Sequence, residues 1–88
     1  MIFKHEIGCV FAEDAEGNRI AEATFTTDNG AAIIDNTFVD PSLRGQGIAG
    51  KLMQATAEHI RSLGLKVQPV CSYAVKWFSE HSEYQDLL

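Results

Sequence analysis

A glycine-rich stretch, DPSLRGQGIAGKL (residues 40–52), constrains the fold most because it separates a predicted strand from a predicted amphipathic helix. The preceding run AAIIDNTFVD is typical of a central strand, which ends at Pro41 because proline has no amide hydrogen for a sheet ladder. Apolar-face residues then recur at helical spacing: Ile48, Leu52, Ala55, Thr56, His59, Ile60 and Leu63. Gly64 ends the helix, and LKVQPV is predicted to be a strand. A helix between two strands favours a right-handed crossover, so this strand should run parallel to residues 31–39.

The residues before and after this strand–helix–strand unit indicate a hairpin and a second helix, respectively. Residues 7–12 and the run RIAEATFTT indicate two strands joined at Gly17 and Asn18, and DNG at residues 28–30 marks the next turn. Ser72 is the predicted cap of a helix that reaches about His81. The predicted fold class is therefore α/β: antiparallel hairpin strands, a central strand, a helix crossover to a parallel strand, and a second helix.

Length and composition limit the functional classes. The 88 residues allow one domain, spanning residues 1–88, with a single modest core. There is no apolar run of about 18 residues and no secretory leader, so we expect a cytosolic protein without a membrane partner. The net charge of −5 argues against general nucleic-acid binding and favours cationic partners such as amines. An exposed edge strand in so small a sheet leaves room for a homodimer or a protein partner.

The cysteines and histidines form no motif of their own. Cys9 and Cys71 are far apart and lack the CxxC or His spacing of a disulfide framework or a metal site, so free thiols and no metal are expected. The three histidines share no ligand spacing, and a structural role is favoured for His59 on the apolar helix face.

The glycine loop itself predicts an anion site. The first amides of a helix have no partner within it, and Gly45 and Gly47 have no side chains to block a phosphate from approaching them. Arg44 and Lys51 add positive charge nearby. The alternative is a glycine-rich helix entry without a ligand, because such turns are common. The loop is neither a Walker A motif nor a GxGxxG fingerprint.

The motifs of this chain resemble those of the GNAT superfamily of N-acetyltransferases. The signature [QR]-x-x-G-x-[GA] is matched by Arg44, Gly47 and Ala49. Small single-domain members of about 90 residues share the hairpin strands, this motif, a later CSY and an EYxDLL ending. Here these are residues 71–73 and 83–88, so the resemblance covers nearly the whole chain.

The resemblance implies acetyl-CoA as the acyl donor and an amine as the acceptor. Backbone amides would hold the pyrophosphate, from Gly45 through Gln46, Gly47 and Ile48 to Ala49, with Arg44 and Lys51 near the phosphates. The backbone of Phe38 and Val39 would pair with the pantetheine arm, in the gap where two parallel strands diverge. The thioester would then point towards Cys71.

Two departures from the superfamily pattern concern the proton transfers. Phe78 stands where a tyrosine acid is common, and Asn36 replaces the histidine of close relatives; an amide cannot act as a base near neutral pH. Asp35 is a candidate base only if it points into the cleft, and strand alternation does not decide which face it takes. The N-terminal elements with which larger members shape an acceptor pocket are also missing.

Cys71 is the candidate catalytic residue. A helix N-terminus favours its thiolate, which could accept the acyl group, and the alternative is a small buried residue below the cofactor thiol. Three functions stay open: an acetyltransferase acting on a small amine or a protein lysine, an acyl-CoA-binding module with little turnover, and a ligand-free interaction domain.

Overall fold

Five strands form one sheet in chain order in the computed structural model, which describes residues 1–88. The first four strands pair antiparallel, and β5 pairs parallel with β4. This order confirms the predicted fold class. The strands are β1 (Lys4–Glu6), β2 (Cys9–Glu13), β3 (Arg19–Asp28), β4 (Ala31–Val39) and β5 (Lys66–Pro69).

The N-terminal hairpin differs from the prediction for residues 7–12. Ile7 and Gly8 form a turn instead of the start of a strand, and the short β1 lies before them. Gly8 has φ +72°, its carbonyl accepts the Phe25 amide at 2.9 Å, and an added Cβ would lie 2.8 Å from the Phe25 oxygen. A glycine is required here because a side chain would clash with β3 at a left-handed backbone position.

Two α-helices pack on the same face of the sheet. They are α1 (Ile48–Ser62), which forms the β4–β5 crossover, and α2 (Ser72–Glu80), which is followed by a 3-10 segment, Ser82–Leu87. Leu63, predicted on the apolar face of α1, is 51% exposed because it lies past the last turn, as the C-cap. No helix is both long and apolar enough to cross a membrane.

The core forms two clusters under these helices. The first half of α1 packs on β2 and β3, and α2 with the second half of α1 packs on β3, β4 and β5. Met53 and Ala57 are fully buried although they lie outside the predicted apolar face, because α2 covers that side of α1. The sheet residues that face the helices include Val10, Ala12, Ala21, Ala23, Phe25, Ala32, Ile34 and Val67.

A bulge at Asp35 changes which face the rest of β4 presents. Phe25 pairs with Ile34 and Thr24 with Asn36, so Asp35 has no partner on β3. An extra residue shifts the alternation by one position. Thr37 and Val39, instead of Asn36 and Phe38, therefore continue the face that Ile34 presents to the helices.

Candidate functional site

The loop between β4 and α1 ends in two left-handed glycines. Asp40 accepts the Ser42 amide and hydroxyl at 2.9 and 2.7 Å, which stabilises the 3-10 turn Pro41–Leu43. These hydrogen bonds also lower the pKa of the Asp40 carboxyl. Beyond the turn, Gly45 has φ +85° and Gly47, the N-cap of α1, has φ +73°. Both glycines are needed for their backbone conformation, and a Cβ on either would meet only open space.

The amides of this loop have no partner within the chain. The first backbone bond of α1 runs from the Lys51 amide to the Gly47 carbonyl at 3.2 Å, and the amides of residues 45–50 make no hydrogen bond. The Gly47 N-cap has no side chain that could satisfy them. Arg44 and Lys51 are exposed and take part in none of the ion pairs. Free amides, a helix N-terminus and two free cations are suited to bind an anionic group such as a phosphate.

A groove of about 420 Å³ leads from this loop to the sheet. It opens because the pairing of β4 with β5 ends at Ile34 and Pro69, whereas β4 continues to Val39. The Ile34 carbonyl accepts the amides of both Val70 and Cys71, at 2.9 and 3.1 Å, where the strands diverge. The groove is lined by Thr37, Val39, Leu43, Arg44, Gly45, Gly47, Ile48, Ala49, Gly50 and Tyr73.

Cys71 lies at the inner end of this gap as the N-cap of α2. Its sulfur accepts the Ala74 amide at 3.4 Å, so the capping side chain is Cys71 and not Ser72 as predicted. The same sulfur lies 3.1 Å from the hydroxyl of Thr37, on the opposite strand of the gap. Cys71 is half-buried and forms no disulfide. Its thiol is therefore hydrogen-bonded to a residue of the groove wall.

Tyr73 supplies the one phenol of the groove. It sits on the first turn of α2, and a Cβ added at Gly50 would lie 3.9 Å from both its hydroxyl and the Trp77 ring nitrogen. Both are ordinary van der Waals distances, so these α2 side chains pack over Gly50 without requiring a glycine there. Burial, and to a lesser extent the charge of Glu80, raises the pKa of Tyr73 above 10.0, so the phenol stays protonated at neutral pH and can donate a hydrogen bond.

No carboxylate or histidine lines the groove. Asp35 is exposed and accepts a hydrogen bond from the Thr24 hydroxyl at 2.9 Å. Asn36 is also exposed, and Phe78 is almost completely buried in the core. The groove therefore presents hydrogen-bond donors, and one of its wall residues, Thr37, contacts the Cys71 thiol. None of its lining side chains is an ordinary general base.

The structure brings most of the predicted residues to one groove. The lining includes Val39, Arg44, Gly45, Gly47, Ile48 and Ala49, whereas Phe38, Gln46, Lys51 and Cys71 do not line it. Cys71 is linked to the groove wall by its contact with Thr37. Sequence reasoning missed four further lining residues, which are Thr37, Leu43, Gly50 and Tyr73. Strand alternation counted back two residues from Val39 could have identified Thr37.

Comparison with known proteins gives a family and a fold. The family model for GCN5-related N-acetyl-transferase matches residues 9–87. The NMR structure of a GCN5-like protein from Staphylococcus aureus is 36% identical, with a TM-score of 0.78, over 98% of this chain and 85% of that one. A search among curated proteins finds no match.

Larger enzymes share the fold at lower identity. The GNAT family N-acetyltransferase YhbS from Escherichia coli, solved in complex with CoA, is 23% identical with a TM-score of 0.68, over 84% of this chain and 44% of that one. N-acetylglutamate synthase from Neisseria gonorrhoeae, complexed with coenzyme A and N-acetyl-glutamate, is 20% identical with a TM-score of 0.67, over 83% of this chain and 18% of that one. The chain thus spans less than half of either larger enzyme. Since the family model covers nearly all of the sequence and the sheet has the matching topology, the chain belongs to the GCN5-related N-acetyltransferase family.

Proposed function

We propose that residues 1–88 form one domain that binds acetyl-CoA in the groove and transfers its acetyl group to an amine. The observation that carries the proposal is the row of free amides at residues 45–50, at the mouth of a groove formed by two diverging strands. A pyrophosphate fits these amides because they are donors without a partner in the chain at a helix N-terminus. Related enzymes of the same fold are solved with CoA.

The proposed contacts divide between backbone and side chains. The pyrophosphate takes the backbone amides, and the Arg44 and Lys51 side chains neutralise phosphate charge. The pantetheine arm pairs with the edge of β4 that β5 leaves at Ile34. Its partners there are the backbone groups of Phe38 and Val39. The amides involved belong to Gly45, Gln46, Gly47, Ile48 and Ala49.

When bound, the thioester of acetyl-CoA supplies an activated acetyl group. In the simpler route the chain positions this group beside an unprotonated amine, which attacks it directly. The missing base is tolerated because amines lose a proton to water and positioning alone contributes a large rate factor. Tyr73, protonated and in the groove, is suited to donate a proton to the departing thiolate.

In the second route, Cys71 takes the acetyl group first. Its sulfur forms a bond to the carbonyl carbon while the bond from that carbon to the CoA sulfur breaks, and the electron pair stays on the CoA sulfur. The proton of the Cys71 thiol goes to water, and the CoA thiolate takes up a proton. The amine then attacks the Cys71 thioester and releases the thiol.

Acetyl transfer is tested by incubating the protein with acetyl-CoA and a panel of small amines and lysine peptides. Chromatography measures amine-dependent release of CoA, and intact mass measures acetylation of the protein. The matched variants are Cys71→Ala and Cys9→Ala, because the chain has only these two free thiols. The covalent route predicts an acetyl adduct that Cys71→Ala abolishes and Cys9→Ala retains. Wild-type turnover in Cys71→Ala would exclude that route and leave direct attack.

An acyl-CoA-binding module with little turnover is the second candidate. The absence of a carboxylate or histidine from the groove lining favours it. This function predicts ligand-induced stabilisation without acetylated product from any amine of the panel.

A further inference from the structure

We propose that Thr37 is a positioning residue whose hydroxyl holds and stabilises the Cys71 thiolate. The proposal deepens the covalent route above and rests on that part of the proposed function. The Thr37 hydroxyl oxygen lies 3.1 Å from the Cys71 sulfur. These residues are 34 positions apart in the sequence and lie on opposite sides of the gap between β4 and β5.

The main chain holds Cys71 in place independently of Thr37. Its amide donates to the Ile34 carbonyl at 3.1 Å, and its carbonyl accepts the Val75 amide at 3.0 Å. Its sulfur accepts the Ala74 amide at 3.4 Å. The Thr37 hydroxyl is the one side-chain hydrogen-bonding group that contacts this sulfur. Removing that hydroxyl should therefore change the electrostatics of the thiol more than its position.

A hydroxyl suits both protonation states of the sulfur. It can accept the S–H of the neutral thiol and can rotate to donate its own hydrogen to the thiolate. With the Ala74 amide it then supplies two donors to the negative sulfur at the N-terminus of α2. Hydrogen bonds to charged groups are stronger than those between neutral groups, so the contact favours the thiolate.

The bulge at Asp35 is what makes this contact available. Without the extra residue, Thr37 would point to the opposite face of the sheet and could not line the groove. Thr37 connects the Cys71 sulfur with the groove. Its side chain contacts the thiol and also forms part of the groove wall where the pantetheine arm is proposed to run.

The test measures the rate at which iodoacetamide alkylates each cysteine, with no CoA present. Rates are compared at about pH 7 and at about pH 10, where an ordinary thiol is mostly ionised. The variants are Thr37→Val, which keeps the shape without the hydroxyl, and Thr37→Ser, which keeps the hydroxyl. Cys9 is an internal control: burial, followed by the charge of Glu22, raises its pKa, and it has no contact with Thr37.

We expect Thr37→Val to slow alkylation of Cys71 about tenfold at neutral pH and little at high pH, with the wild-type pattern restored in Thr37→Ser. Equal slowing at both pH values, or no slowing, would overturn the proposal, because a purely structural contact changes access and not ionisation. If Thr37→Val does not fold, Thr37→Ala is measured with the same criteria. Since the assay uses no CoA, this outcome is independent of whether acetyl-CoA binds or is turned over.

Discussion

Replacing Gly47 by glutamate tests whether the amides at the start of α1 hold the phosphates of coenzyme A. The chain provides a matched control in Gly64, just past the other end of the same helix. Both glycines have φ +73°, and an added Cβ would meet no atom within 4 Å at either position. Gly47→Glu and Gly64→Glu therefore introduce the same side chain and the same backbone strain, and only the first places a carboxylate at the proposed phosphate site.

In the absence of ligand, the backbone strain of the new glutamate lowers the stability of both variants. A non-glycine residue in the left-handed region costs about 1–2 kcal/mol. For a domain of this size, each kcal/mol lowers Tm by about 4–8 °C. Both variants should therefore melt about 4–16 °C below the wild type. Gly64→Glu should melt lower of the two, because a carboxylate is unfavourable at a helix C-terminus and favourable at an N-terminus.

The ligand then separates the variants. At 100 times its Kd, acetyl-CoA adds about 2.7 kcal/mol, a rise in Tm of about 11–22 °C. Two like charges about 4 Å apart repel by about 1 kcal/mol in water and about 4 kcal/mol at an effective dielectric constant of 20. If repulsion weakens binding about a hundredfold, only about 0.4 kcal/mol remains at the same ligand concentration. This corresponds to about 2–3 °C in Gly47→Glu.

The assay is thermal unfolding followed by circular dichroism, with and without acetyl-CoA. Desulfo-CoA should raise Tm of the wild type similarly, since it keeps the pyrophosphate. Gly47→Gln and Gly64→Gln, which carry the strain without the charge, separate repulsion from conformational effects. A full ligand-induced rise in Gly47→Glu, or an equal loss of the rise in Gly64→Glu, would refute the assignment of the phosphates to this loop.

Two further predictions concern stability. Met53→Ala removes a fully buried side chain between α1 and the sheet and should lower the free energy of unfolding by about 2–5 kcal/mol. The control Lys51→Ala, on the exposed side of the same helix, should change it by less than about 0.5 kcal/mol. Chemical denaturation measures the free energy of unfolding of both variants. Burial, and then the charge of the stacked His5, lowers the pKa of His59 below 6.5, so the unfolded chain binds more protons and stability falls as the pH drops through about 6.5. The difference in Tm between about pH 7.5 and about pH 5.5 should be smaller in His59→Gln than in the control His81→Gln, and equal differences would contradict the argument.

The sequence by itself determined the order of elements from β2 onward and the location of the glycine loop, whereas it did not predict the short β1. These follow from local chemistry: apolar residues repeat with a period of two in strands and of 3.6 in helices, and Gly45, Gly47 and Gly64 occupy backbone conformations that other residues rarely adopt. The parallel pairing of β5 with β4 followed from the crossover rule. The family resemblance also depended on local motifs, and the family model confirms it.

The tertiary structure decided which side chains meet in the groove. The bulge at Asp35 depends on how β4 pairs with β3, and no local pattern in the run AAIIDNTFVD predicts it. It directs Thr37 towards the groove and leaves Asn36 exposed, which reverses the alternation expected from Ile34. The contact of Thr37 with Cys71 requires two strands to diverge at one carbonyl, so it depends on pairing between distant residues. Strand register is set by contacts across the sheet, and these become known only when the whole fold is known.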